Sequence, residues 1–184
     1  SQGKEYFLFV GALHPRKNIK RLLVAFDLFK TETNSKNKLL IVGAKMWWNS
    51  ELKEAFENLT HKDEVVFTGR KSLLELKLLY ASAQAFCFVP YFEGFGIPIV
   101  EAMKCGCPVI TSNCTAMPEV AGEAAILVDP FNIEDIKNAM ITLENESELR
   151  GELSEKGLIH SQNFNWNKTA DALWASINKV LQEC

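Results

Sequence analysis

The stretch Ala85-Phe-Cys-Phe-Val-Pro-Tyr-Phe-Glu-Gly-Phe-Gly-Ile-Pro-Ile-Val-Glu101 holds a strand, a loop and the start of a helix in immediate succession. Ala85 to Val89 is continuously apolar and is stopped by Pro90, as expected for a strand covered on both faces of a parallel sheet. Gly94 and Gly96 permit close backbone approach to a ligand. Pro98 marks a helix start. Glu93 therefore falls just before a helix N-terminus, and Glu101 is expected in the first turn. The backbone N–H groups between them lack intrahelical partners, which suits a ligand bearing phosphate and hydroxyl groups.

The same alternation extends outward. Apolar strand runs are read at Tyr6–Val10, Lys38–Val42, Val65–Phe67, Pro108–Thr111 and Ala124–Val128. Between them, Ile19, Leu22, Leu23, Phe26 and Phe29 recur at helical spacing, Ser50 to Leu59 reads as helix, and Leu73, Leu76, Leu79 and Tyr80 mark another. After Asp129-Pro130 the pattern is helical, with stripes through Ile133–Leu143, Leu149–Leu158 and Trp166–Leu181. The expected fold is α/β: a doubly wound, Rossmann-like, mostly parallel sheet of about six strands, helices on both faces and a helical C-terminus. No linker or repeat interrupts residues 1–184, which read as a single domain. In such sheets ligands bind beyond the carboxyl ends of the strands, where Gly11, Gly69 and loop 90–96 fall.

Composition removes several function classes. The chain has 184 residues, 47% of them hydrophobic, and a formal net charge of -3, with no basic block of the kind a nucleic-acid binder carries. No apolar run approaches the ~20 residues of a membrane span, and the N-terminus shows no secretory pattern; Ser1-Gln-Gly is set aside from the fold. Cysteines at 87, 105, 107, 114 and 184 are odd in number and unpaired in spacing, which fits a reducing, cytoplasmic setting. Cys105-Gly-Cys107 reads as apolar filling around a turn rather than a metal site, since His14, His61 and His160 show no ligand spacing near it.

The first loop, Val10-Gly-Ala-Leu-His-Pro-Arg-Lys-Asn18, lacks the Gly-x-Gly-x-x-Gly of dinucleotide folds. Arg16 and Lys17 instead precede the helix carrying Ile19. Two cations there oppose the helix dipole, and a bound anion would account for them; a solvated surface pair is the plainer alternative. Likewise Glu93 reads as a loop acid and Glu101 as a dipole-complementing acid when each is taken alone. Carboxylates at both ends of a glycine loop also suit vicinal sugar hydroxyls.

The run Glu93-Gly-Phe-Gly-Ile-Pro-Ile-Val-Glu101-Ala-Met, with Gly106-Cys-Pro-Val-Ile-Thr-Ser112, Pro118-Glu-Val-Ala-Gly122, Phe67-Thr-Gly69 and Phe164-Asn-Trp166, resembles the donor half of retaining glycosyltransferases of family 4, formerly glycosyltransferase group 1. The resemblance covers nearly the whole chain in order. It implies the GT-B fold, of which this is the C-terminal half, with an N-terminal acceptor domain absent and a C-terminal helix through Trp166, Trp174 and Leu181 that crosses to that domain. It implies that Arg16 and Lys17 bind the donor diphosphate, Glu93 contacts the donor sugar and Glu101 holds the ribose hydroxyls. Backbone around Gly94, Phe95, Gly96 and Ile97 would meet sugar and diphosphate, Gly11 lines the first loop, Arg70 frames the nucleobase and Val100 packs near the ribose. The implied reaction is retaining and metal-independent and needs no cofactor, the nucleoside-diphosphate sugar being a substrate. Its acceptor is a glycan or lipid-linked acceptor, which admits peripheral association of the full-length protein with the inner face of the membrane. Gly43-Ala-Lys-Met-Trp-Trp48 resembles a segment of mannosyltransferases in this family and turns the donor expectation toward GDP-mannose over a UDP-sugar; the other reading is that Trp47 and Trp48 cap a strand end. Two rivals are a sugar-nucleotide epimerase on the same architecture and a non-catalytic nucleotide-binding or interaction domain.

Overall fold

A computed structural model describes residues 5–182; Ser1-Gln-Gly and Cys184 lie outside the described residues. Six strands, β1 (Tyr6–Val10), β2 (Lys38–Val42), β3 (Val65–Gly69), β4 (Ala85–Phe88), β5 (Val109–Ser112) and β6 (Ala125–Val128), form one parallel sheet in the order β3-β2-β1-β4-β5-β6. Each strand exit is followed by a helix or turn: α1 (Ile19–Thr33), α2 (Ser50–Glu57), α3 (Leu73–Ala81), α4 (Ile97–Lys104), α5 (Met117–Ala121) and α6 (Ile133–Asn145). The C-terminus continues through α7 (Ser147–Ser161) and α8 (Trp166–Gln182). α1 packs on α2 and α6, while α4 packs on α3, α5 and α7. Right-handed crossovers place these two groups on opposite faces of the sheet.

The apolar strands explain the sheet's position. Phe7, Leu8 and Phe9 of β1 and Phe86, Cys87 and Phe88 of β4 are fully buried, because both faces are covered. The α1 stripe behaves as its spacing predicts: Ile19, Leu22, Leu23, Phe26 and Phe29 are all buried. α3 forms over the residues that mark it, Leu73–Ala81. Tyr80 is buried and Leu76 and Leu79 are partly so, but Leu73, with its neighbours Leu74 and Leu78, faces outward. α3 carries leucine on every side, so its periodicity has no direction and packing decided which side went in. Burial pushes the Cys87 and Cys107 thiols above the ordinary thiol range, consistent with apolar filling.

Strand order reverses direction between β1 and β4. Chain leaving β1 moves toward β2 and β3, and chain leaving β4 moves toward β5 and β6. The two loops part there and leave a crevice at the strands' carboxyl ends. Loop 11–18 and loop 89–96 are its two walls.

Candidate functional site

The first wall is built by backbone capping. Pro15–Lys17 forms a short 3₁₀ turn whose preceding residue, His14, accepts the Arg16 N–H on Nδ1 at 3.2 Å. Asn18, left-handed at φ 60°, then opens α1. Its buried amide donates to the carbonyls of Val89 at 3.0 Å and Pro130 at 2.7 Å. The Tyr91 N–H donates to the Arg16 carbonyl at 2.8 Å. The two walls are thus tied together independently of the charged side chains.

Those side chains converge. Lys17 Nζ lies 2.5 Å from Glu93 Oε1 and 4.5 Å from the centre of the Phe88 ring. Arg16 Nε approaches the same oxygen at 3.3 Å. Lys17 and Glu93 are only 12% and 13% exposed, while Arg16 is 52% exposed. The unfavourable pairing of two cations with a helix N-terminus is therefore offset within the chain by Glu93. An incoming anion would share or replace that carboxylate on Lys17 and Arg16.

The second wall ends at α4. Gly96 precedes the helix at φ 93° and supplies no side-chain cap. A Cβ there would lie 2.8 Å from Met117 Cε, the movable end of a flexible side chain, so it is the left-handed backbone that favours glycine. Gly94 is different: it has no left-handed φ and open space around it, so its freedom is not what shapes the loop. Phe95 and Ile97 are exposed and Val100 is buried. Pro98 lies in the first turn of α4.

Glu101 is corrected by one turn. It is the fifth residue of α4, whose first turn contains no acid. It is too deep to serve the dipole at the helix end, and its partner is Tyr80, whose hydroxyl donates to Oε2 at 3.2 Å. In the sequence Tyr80 reads only as one more position of the α3 stripe, with no sign of a polar role. Its ring packs edge-on against Phe86 at 5.3 Å. Burial, then the Glu101 charge, raises its phenol far above the ordinary range, so it remains a donor. Arg70 is exposed just past β3, two strands away from β1 in the sheet. Gly11 turns the chain out of β1 at φ 151°, its N–H bonded to the Val42 carbonyl at 2.8 Å.

The paired tryptophans separate. Trp48 packs on Phe56 at 5.7 Å and Phe67 at 5.2 Å and caps the strand ends. Trp47, left-handed at φ 71°, is exposed and meets the edge of His14 at 4.9 Å. Two cavities flank the charged cluster. One of about 380 Å³ lies among α1, the start of α2, His14 and Tyr91. The other, about 550 Å³ and mostly apolar, lies between Phe95, Ile97 and Val100 on one side and Phe164 and Trp166 on the other. Among the described residues, no group of three His, Cys, Asp or Glu is placed to hold a metal ion, and no helix is long and apolar enough to cross a membrane.

Comparison with known proteins gives consistent matches. The family described as "Glycosyl transferases group 1" matches residues 1–159. The chain is 35% identical over 161 residues to O-antigen chain mannosyltransferase B of Escherichia coli, covering 88% of this chain and 42% of that protein. It is 34% identical over 141 residues to O-antigen chain mannosyltransferase RfbU of Salmonella typhimurium, covering 77% of this chain and 39% of that one. Among solved structures, Anabaena Alr3699/HepE in complex with UDP-glucose superimposes with a TM-score of 0.84 at 19% identity, covering 96% of this chain and 49% of that chain. This chain thus spans less than half the length of each of these proteins.

Proposed function

The chain belongs to the glycosyl transferases group 1 family, and from that premise we propose that it is the donor-binding half of a retaining hexosyltransferase of family 4. The observation that carries this reading is the convergence of Arg16, Lys17 and Glu93 at the point where strand order reverses. In the complete enzyme the bond between the sugar's anomeric carbon and the diphosphate breaks, and its electron pair leaves on the diphosphate. A new bond forms to the acceptor oxygen, whose proton is carried off by the departing diphosphate. Lys17, Arg16 and the uncapped start of α4 are the donors that would meet the charge that develops, which is where fixed donors lower a barrier most. This stabilisation needs no metal. Glu93 then positions the transferred sugar, and Glu101 holds the ribose hydroxyls. Arg70 frames the nucleobase, and Val100 packs near the ribose. The donor is GDP-mannose: the two relatives named above are mannosyltransferases, and the glycine-to-tryptophan segment 43–48 agrees. The acceptor is a glycan, or a lipid-linked precursor of one, held by a second domain.

Calorimetric titration with guanosine and uridine diphosphates tests the reading. Weak binding is expected, tighter for the guanosine form, with little or no sugar transfer by the isolated chain. No heat with either nucleotide on folded protein would sink the proposal, and measurable transfer by the chain alone would refute the need for a second domain. Glu101→Ala should weaken binding about tenfold or more, as for loss of a hydrogen bond to a charged group. Unchanged affinity would remove Glu101 from the ribose.

Tyr80→Phe gives a subtler outcome. The ring stays packed on Phe86, so only the donor to Glu101 is lost. Nucleoside diphosphate affinity is expected to fall about threefold to tenfold, with inorganic pyrophosphate affinity unchanged because it carries no ribose. In a Glu101→Ala background the Tyr80 change should have no further effect. An equal loss for pyrophosphate would show that Tyr80 acts on the fold instead.

A further inference from the structure

The loops that build the charged cluster also build something on their other side. Arg16, Lys17 and Glu93 converge, whereas His14, Asn18 and Tyr91, from the same two loops, line the cavity of about 380 Å³ against α1 and the start of α2. That size is in the range of small-ligand sites. Trp47 stands at this cavity in a left-handed conformation, with its ring exposed and the edge of His14 against it at 4.9 Å. An exposed indole gives up apolar contact with the core and is suited to a flat, partly apolar ligand face. Asn18 holds the cavity's inner wall in place, its amide hydrogens bonded to the Val89 and Pro130 carbonyls.

The charges there are already matched. Lys20 Nζ sits 2.7 Å from Glu51 Oε1, and both line the cavity. Arg21 bonds the Tyr91 hydroxyl and lies over the Tyr91 and Phe131 rings at 5.3 and 5.7 Å. A phosphate would have to break these pairings. A neutral polyhydroxylated ring would not: an ammonium–carboxylate pair bridges vicinal hydroxyls, and the indole faces the ring's C–H side. The geometry points to a saccharide subsite on the donor half itself, one hexopyranoside deep, on the far side of loop 13–18 from the diphosphate cluster. This goes beyond the proposed function, which places the acceptor on another domain. It rests on that reading only for the role of the sugar as part of an acceptor glycan, which would be held from both halves of the enzyme.

Nitrogen-15 NMR of the chain, titrated with methyl α-mannopyranoside and then with a mannose disaccharide, tests the inference. Shifts are expected at the Trp47 indole, at the amides of residues 13–21 and at those of residues 49–52, with affinity of roughly millimolar order typical of so small a ligand. Trp47→Ala and Glu51→Ala should each weaken saccharide binding at least fivefold, and Glu51→Ala should leave guanosine diphosphate affinity unchanged. Saccharide shifts confined to the residues around Glu93 and Gly96 would overturn the subsite, as would no shift at all. Neither result would touch the donor reading, which stands or falls on the nucleotide titrations.

Discussion

Lys17→Ala is expected to lower kcat/KM of the complete enzyme by about 10²- to 10³-fold, the cost of removing one fixed donor from a site of developing negative charge. Lys17 is the strongest candidate in the cluster because it is the most enclosed cation there. Its Nζ is held between the Phe88 ring and Glu93, at 4.5 Å from the ring centre and 2.5 Å from Oε1. A charge in such surroundings acts through less water than Arg16, which is half exposed. Arg16→Ala should therefore cost less than Lys17→Ala. Lys17→Met keeps the packing on Phe88 without the charge and should be nearly as impaired as the alanine variant. Steady-state kinetics with the nucleoside-diphosphate donor, alongside thermal melts to show that each variant is folded, make the comparison. A loss of less than about threefold in folded Lys17→Met would mean that the lysine neutralises Glu93 and does nothing for the leaving group.

Gly43→Ala is expected to destabilise the fold by about 4 kcal/mol or more, placing it among the exceptional single substitutions. A Cβ on Gly43 would lie 2.0 Å from the Gly11 carbonyl oxygen and 2.7 Å from its carbon. Both are backbone atoms, so no side chain can swing aside. The φ of 149° adds strain that an L-residue rarely accepts. Gly43 is also tied in place, its N–H bonded to the Gly69 carbonyl at 2.9 Å. The only relief is to move the exit of β1, and with it the loop carrying Arg16 and Lys17, so nucleotide affinity should fall as well. For a chain of this size the melting temperature should drop by roughly 10 °C. Gly69→Ala is the control. It has φ 71° but open space, and only the left-handed penalty of about 1–2 kcal/mol applies. Equal melting temperatures for the two variants would show that the close approach of Gly43 to Gly11 does not limit stability.

Much of the fold was legible because the strands are buried on both faces. Continuous apolar runs bounded by glycine or proline leave little ambiguity, and Tyr6–Val10 and Lys38–Val42 fall on their expected bounds. The remaining strands shift by a residue or two, where Gly69 and Ser112 extend the ladder beyond the apolar run. The α8 stripe of Trp166, Trp174 and Leu181 forms the expected helix, with no buried residue among those described. α3 falls where its residues mark a helix, but leucine at 73, 74, 76, 78 and 79 marks no single face, so its buried side was not legible. Glu101 was placed a turn too early because a proline shows where a helix can start but not how many residues precede it. Tyr80 was invisible because hydrogen bonding across two helices leaves no local pattern.

The sequence alone determined which residues are chemically able to act: two cations before a helix, two acids around a glycine loop, and strands apolar enough to force a two-sided parallel sheet. These are local properties, set by side-chain chemistry and by backbone preferences over a few residues. Only the tertiary structure decided that Arg16 and Lys17 share one oxygen of Glu93, 77 residues beyond Arg16, that Glu101 turns to Tyr80, and that Trp47 and Trp48 part company. Those outcomes depend on β4 pairing beside β1 with the strand order reversing between them. That pairing is settled by the burial of the whole sheet, to which no single segment of the chain holds the key.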